Sequence, residues 1–286
     1  MGLDKVKETT FRAARDAGAL LKERLGKIKD VDYKGAFNIV TDVDRASEQL
    51  IIDILLGEFP SFAILAEEGG AKNSGAQCRW LIDPLDGTTN YTHAYPFFSV
   101  SIGLEDSGRM VFGVVYNPLV DELFWAQEGE GAWLNDVPIS VSQNGQLKNC
   151  LLATGFPPDT RHKVNSNMRQ FSTLTDICHG VRRDGSAALD LCFVACGRLD
   201  GFWEMKLSPW DTAAGSLIVE EAGGKVTNLA GGCFDMTTGH ILATNELIHD
   251  GVVEVLQQLA SEHEDSCSVS ERLENQDKML GQGDIR

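Results

Sequence analysis

One junction constrains this chain more than any other. The apolar run Trp80-Leu81-Ile82 ends directly in Asp83-Pro84-Leu85-Asp86-Gly87-Thr88-Thr89-Asn90. A short run of large apolar residues bounded by turn signals reads as a buried strand. Pro84 fixes its own φ and biases Asp83 towards extended backbone, so Asp83 and Asp86 are both presented at the strand end. The run Phe62 to Ala66 ends in Glu67-Glu68 in the same manner. Two buried strands of this kind deliver carboxylates to a common edge. Hard divalent ions such as Mg²⁺ prefer oxygen ligands, usually a few carboxylates with water and a substrate phosphate. No His or Cys cluster in the sequence competes for that role. Downstream, Gly87 lets backbone approach a ligand closely, while Thr88 and Thr89 suit the N-cap of a helical turn whose free N–H groups bind anions. Taken singly these signals have plainer readings: Asp-Gly is an ordinary turn, Glu67-Glu68 a solvated acidic loop. Their succession points to a metal site beside a phosphate cradle.

Charge narrows the chemistry. Lysine and arginine number 25 against 42 aspartates and glutamates, a formal net charge of −17, which argues against broad affinity for nucleic acid or anionic membranes. An acidic protein that handles phosphate esters needs a bound cation, because carboxylates alone repel the substrate. Seven cysteines without zinc-type pairing fit reduced thiols. The closest two, Cys192 and Cys196, sit at helical spacing and read as core-facing thiols. The chain opens without a signal-type apolar segment and contains no run of about 18 apolar residues, so a soluble, cytoplasmic protein is expected.

At 286 residues the chain has room for one large domain or two subdomains. Val6, Phe11, Ala14, Gly18, Leu21 and Leu25 form one apolar stripe on a first helix. The stretch Asp44 to Leu56 predicts a second, with Asp44 at its start and Ala46, Leu50, Ile51, Ile54 and Leu55 on its buried side. Strand-like runs at Ser99 to Leu104, Val111 to Tyr116, Leu123 to Gln127, Ala132 to Leu134 and Val137 to Val141 are separated by turn residues and predict an antiparallel meander. Beyond about Gln143 strands and helices alternate. Strands are expected at Leu151 to Thr154, Val181, Phe202-Trp203, Lys225 to Thr227 and Ile241 to Ala243. Helices are expected at Ser166 to Ile177, Ser186 to Ala195, Asp211 to Ala222 and Leu247 to Leu259. The expected organisation is an α+β half over 1–142, an α/β half over 143–260, and a polar, disordered tail over 261–286.

The strings Ala66-Glu67-Glu68, Asp83 to Asn90, Trp210-Asp211-Thr212-Ala213-Ala214-Gly215 and Glu221-Ala222-Gly223-Gly224 together resemble the signatures of the inositol monophosphatase family, over roughly Val6 to Leu259. The segment Arg182-Arg183-Asp184-Gly185-Ser186-Ala187-Ala188-Leu189-Asp190 is similar to its bacterial branch. The resemblance implies a layered αβαβα sugar-phosphatase fold with a mixed, largely antiparallel first sheet. It implies Mg²⁺-dependent, lithium-sensitive hydrolysis of small phosphate monoesters, inositol 1-phosphate foremost, by metal-activated water in a homodimer.

The same resemblance implies two or three Mg²⁺ ions per site. Glu67, Asp83 and the Leu85 carbonyl would hold one, and Asp83, Asp86 and Asp211 a second, so that Glu67, Leu85, Asp86 and Asp211 also face the substrate. Gly87 and Thr88 would bind phosphate through backbone N–H groups, and the Thr88 hydroxyl with Asp44 would activate the water, with Glu67 completing the catalytic set. Gly185, Ser186, Ala187 and Glu204 resemble contacts to substrate hydroxyls, with Arg182 beside them, and Lys34 resembles a mobile-loop lysine. Where animal members have His-Cys before Trp-Asp, this chain has Ser208-Pro209, so any contact made by those side chains does not carry over. Two alternatives stand. One is a fructose-1,6-bisphosphatase or dual-specificity enzyme, with Arg182 and Arg183 either accommodating a second phosphate or serving as surface residues. The other is a non-catalytic regulatory protein, which predicts damaged metal ligands, and none is missing.

Overall fold

The computed structural model describes residues 2–27, 31–33, 39–156 and 167–261. Lys34, the predicted helix start at Ser166, Cys267 and the tail over 262–286 lie outside the described residues. The chain begins with α1 (Leu3–Arg24), a short antiparallel pair β1 (Val31–Tyr33) and β2 (Ile39–Thr41), and α2 (Asp42–Glu58). There follow β3 (Ala63–Ala66), β4 (Gly70–Lys72), β5 (Cys78–Asp86), the short α3 (Thr88–Thr92), β6 (Ser99–Asp106), β7 (Arg109–Asn117), β8 (Glu122–Gln127), β9 (Ala132–Leu134) and β10 (Val137–Ile139). These eight strands form one sheet in the order β10-β9-β8-β7-β6-β5-β3-β4, in which only β3 and β5 run parallel.

The remainder supplies β11 (Leu151–Thr154), α4 (Met168–Ile177), β12 (Gly180–Arg182), α5 (Ala187–Ala195), β13 (Gly201–Glu204), α6 (Pro209–Glu221), β14 (Lys225–Thr227), β15 (Ile241–Thr244) and a last helix, α7, over 249–261. Its five strands form a mixed sheet ordered β12-β11-β13-β15-β14.

Period-two alternation decides the layering. Along β7 and β8, Val114, Leu123 and Trp125 join one core cluster with Leu21, Ile51 and Leu55 of the first two helices, whereas Val115, Phe124 and Ala126 join another with Leu191, Val194, Leu217 and Ile218 of α5 and α6. Phe202 and Ala243 close that second cluster from the smaller sheet. On that sheet's far face, Leu152, Trp203 and Leu242 pack against Leu174 of α4 and Val252 and Leu256 of α7. The layers therefore read αβαβα. Each fully buried Leu, Ile or Phe contributes about 1.5–3 kcal/mol, so the three clusters dominate stability.

Two details differ from expectation. Helix α2 starts at Asp42 rather than Asp44, and Ala46 is exposed while Ser47 and Glu48 are buried. The cause is polar satisfaction: the Ser47 hydroxyl donates to Pro84 O at 2.9 Å, and Glu48 Oε2 accepts Glu68 N–H at 2.7 Å. Helix α6 likewise starts two residues before Asp211, at Pro209. It lies unusually close to the first sheet. A Cβ on Gly113 would sit 3.0 Å from Ala214 Cα, so the glycine permits an approach that brings Asp211 to the sheet end.

Candidate active site

Register brings the first two acids together. Ala66 of β3 lies beside Ile82 of β5, so the next residues, Glu67 just past β3 and Asp83 within β5, sit at one level, and Glu67 N–H donates to Ile82 O at 3.2 Å. The β5–β6 ladder then slips: Asp83 lies opposite Ser101 but Asp86 opposite Ser99. Pro84 and Leu85 thus form a bulge, a place where a proline without N–H costs no ladder bond. Leu85 N–H donates to Asp83 Oδ1 at 3.0 Å, and Ser47 holds the Pro84 carbonyl.

Gly87 follows with φ +94°, and a Cβ there would stand 3.0 Å from Phe97 O. It caps α3, so the chain turns sharply and Thr88 Oγ1 comes within 3.0 Å of both Asp44 Oδ1 and Leu85 O. Asp44 is the third residue of α2, and its Oδ2 accepts the Thr41 backbone N–H at 2.9 Å and the Thr41 hydroxyl. This capping box leaves Oδ1 to Thr88. Burial raises the Asp44 carboxyl above its ordinary range, partly offset by the hydrogen bonds from Thr41 and Thr88.

Asp211 is held in the same way, its Oδ2 accepting Ser208 N–H at 2.7 Å. Asp86 Oδ2 accepts the Ser186 hydroxyl at 2.6 Å and Ala188 N–H at 2.8 Å, at the start of α5. Burial nevertheless pushes Asp86 up to about 6 against those donors. Asp83 is raised well above the usual range, first by burial and then by Glu67, Asp86 and Asp211; Asp211 is raised by burial and then by Asp86. Glu204 is pushed up to about 8 by burial, with Arg183 opposing.

A cavity of about 260 Å³ is lined by Glu67, Asp83, Leu85, Asp86, Gly87, Thr88, Gly185, Ala187, Glu204 and Asp211, together with Arg183 and Lys206. Of the other residues singled out in the sequence, Asp44 lies one hydrogen bond behind Thr88, and Ser186 is buried and engaged with Asp86. Arg182 is exposed on β12 and does not line the cavity; its neighbour Arg183 does. Among the described residues no group of three His, Cys, Asp or Glu side chains is already arranged to hold a metal ion. The donor set still fits hard divalent cations, since it consists of oxygens whose mutual repulsion a cation would relieve.

A sequence profile described as the inositol monophosphatase family matches residues 2–261. The chain belongs to the inositol monophosphatase family. It is 46% identical over 252 residues to an inositol-1-monophosphatase of Synechocystis, covering 87% of this chain and 88% of that one. A Pseudomonas aeruginosa protein named Nus factor SuhB is 43% identical over 255 residues, covering 86% and 94%. A solved inositol monophosphatase from Anabaena (Nostoc) superposes with a TM-score of 0.83 at 46% identity, over 90% of this chain and 97% of that one. The protein is accordingly an enzyme, a phosphatase of the inositol monophosphatase family.

Two further residues around the cavity, Glu48 and Asn90, were given no role by the sequence reading. Glu48 fixes the Glu67-Glu68 turn through Glu68 N–H; an acid one helical turn after Asp44 was the available signal. Asn90 Nδ2 donates to Phe97 O at 2.7 Å and Asp184 O at 2.8 Å, tying the Gly87–Thr88 turn to the loop before α5. Of Arg182 and Arg183, read together from the sequence as accommodating a second phosphate or as surface residues, Arg183 lines the cavity.

Proposed function

We propose that this enzyme hydrolyses small phosphate monoesters with Mg²⁺, inositol 1-phosphate being the preferred substrate class member. The observation that carries the reading is the Thr88–Asp44 pair at 3.0 Å, set behind a cavity lined by Glu67, Asp83, Asp86 and Asp211. Glu67, Asp83 and the Leu85 carbonyl would hold one cation, and Asp83, Asp86 and Asp211 another. When bound, the cations supply charge neutralisation for the phosphate and acidify water beside it. The chain's own part is positional. Gly87 and Thr88 present backbone N–H groups to the phosphate, and the Thr88 hydroxyl orients the attacking water. Asp44 Oδ1 receives a proton through that hydroxyl, and its raised pKa makes it a stronger base than an ordinary carboxylate. Gly185, Ala187 and Glu204 face the alcohol.

The assay is phosphate release from inositol 1-phosphate with Mg²⁺ and with chelator. Activity is expected to need the ion and to fall by at least about a thousandfold in Asp86→Asn; activity that survives either change sinks the proposal. A purely regulatory role, as the name of the Pseudomonas relative raises, predicts decay of the acidic set, whereas Glu67, Asp83, Asp86, Asp211 and the Thr88–Asp44 pair are all in place. The same reading takes the enzyme as a cytoplasmic homodimer. No helix among the described residues is long and apolar enough to cross a membrane, and Val120 and Val137 stand exposed on the strand-rich surface; light scattering tests the dimer.

A further inference from the structure

We propose that Asn167, which does not line the cavity, is a positioning residue for its alcohol side, holding Glu204 and Gly155 where they meet the hydroxyls of the leaving polyol. The inference rests on the phosphatase reading above and assigns part of its substrate discrimination to a side chain outside the cavity wall.

Placement is the first argument. Asn167 opens α4 with φ +62°, a left-handed conformation that Asn adopts more readily than most residues. At a helix start an Asn side chain ordinarily accepts a backbone N–H of the first turn, yet Asn167 makes no such bond. The side chain is buried and turned inward, and its amide is spent on the strand ends beside the cavity. Nδ2 donates to Thr154 Oγ1 and to Gly155 O, each at 2.7 Å, and Oδ1 accepts the Trp203 indole N–H at 2.7 Å. These partners fix the amide's orientation, since an indole only donates and a carbonyl only accepts.

What the network holds is the second argument. Thr154, at the end of β11, is the register partner of Trp203 on β13, and its hydroxyl donates to Trp203 O at 2.6 Å. Trp203 is thus held by both its ring and its carbonyl, directly before Glu204. Strand alternation sends Trp203 to the α4 face beside Leu152 and Leu174, and Glu204 to the other face, at the strand end that borders the cavity. The Glu204 carboxyl packs so closely on Gly155 that it occupies the space a Cβ there would need. Asn167 therefore fixes both the residue before that carboxyl and the carbonyl of the glycine it rests on. Phe171, one turn along α4, adds an edge-on contact to Phe156 of the cavity wall, with ring centroids 5.6 Å apart. A buried network with its polar groups paired specifies one arrangement of the groups attached to it.

Inositol 1-phosphate and phenyl phosphate separate this role from general damage, because the second ester has no hydroxyl on its alcohol for the wall to meet. The ratio of their kcat/KM values does not depend on the fraction of enzyme that is active. Wild type with Mg²⁺ should prefer the inositol ester. Asn167→Gly keeps the left-handed backbone while deleting the amide, and it should lower the ratio roughly tenfold, the scale of one lost hydrogen bond to substrate, mainly through KM for inositol 1-phosphate. Thr154→Val should move the ratio the same way, and Thr154→Ser should restore it. In a Glu204→Ala background, Asn167→Gly should lower the ratio by less than about twofold, because the group it positions is already gone. A ratio within about threefold of wild type in both Asn167→Gly and Thr154→Val, a wild type without preference for the inositol ester, or an undiminished effect of Asn167→Gly beside Glu204→Ala overturns the positioning role alone. Failure of wild type to hydrolyse either ester overturns the parent phosphatase reading.

Discussion

At the scale of single residues, Gly87 has little freedom to change. Its φ of +94° costs a residue with a Cβ about 1–3 kcal/mol, and that Cβ would also meet Phe97 O at 3.0 Å and Gly185 O at 3.2 Å. Gly87→Ala should therefore lower the melting temperature and cut kcat/KM for inositol 1-phosphate by about a hundredfold, since a shift near 1 Å in a positioning group has that scale of effect. Thermal unfolding and steady-state kinetics read both; activity within threefold of wild type would show that the turn is dispensable. This residue was legible in the sequence because an Asp-Gly-Thr-Thr string after a proline leaves few backbone paths. Arg183 was not. The sequence presents it beside Arg182 as an equivalent cation, and only the end of β12 and the turn into Gly185 place one in the cavity and the other outside it.

At the scale of elements, two helices share one device. Asp44 in α2 and Asp211 in α6 are each the third helical residue, and each accepts the N–H of its own cap residue, Thr41 or Ser208, through Oδ2. One carboxylate oxygen is spent on the helix end, and the other is left for chemistry in a fixed direction. Sequence reading put both aspartates at helix starts but two residues out of place, because Asp is equally plausible as cap and as third residue. It also placed Ala46 on the buried face of α2, because an apolar stripe cannot foresee that Asp44, Ser47 and Glu48 find partners in Thr88, Pro84 and Glu68. Thr41→Val tests the device. It removes a hydroxyl that donates to Asp44 and accepts from Val43 N–H while keeping the volume. The expected cost is about 1 kcal/mol in a urea melt, with kcat down at least roughly tenfold at little-changed KM, and Thr41→Ser should recover both. Full kcat in Thr41→Val would mean Asp44 needs no such support.

At the scale of the whole molecule, the acidic cavity sets how stability responds to pH and cations. Asp86 titrates near 6 in the folded protein against an ordinary 3.8, so between those values the folded state holds more protons than the unfolded one. Stability then falls as pH rises through that window, by up to about 3 kcal/mol from this group. The buried Asp83 and Asp211, raised further, carry the loss towards higher pH. A divalent cation opposes it by taking the place of the protons, and it binds more weakly where protons compete. In calorimetry, the melting temperature gained on adding Mg²⁺ to chelated protein should thus be larger at pH 8 than at pH 5. Asp86→Asn removes one buried charge while keeping an acceptor for Ser186 and Ala188, so without metal it should melt higher than wild type at pH 8, with the difference shrinking by pH 5. Equal Mg²⁺ gains at the two pH values, or a chelated Asp86→Asn that melts lower at pH 8, would show that the cavity carboxylates are not held apart from their preferred charge state by the fold.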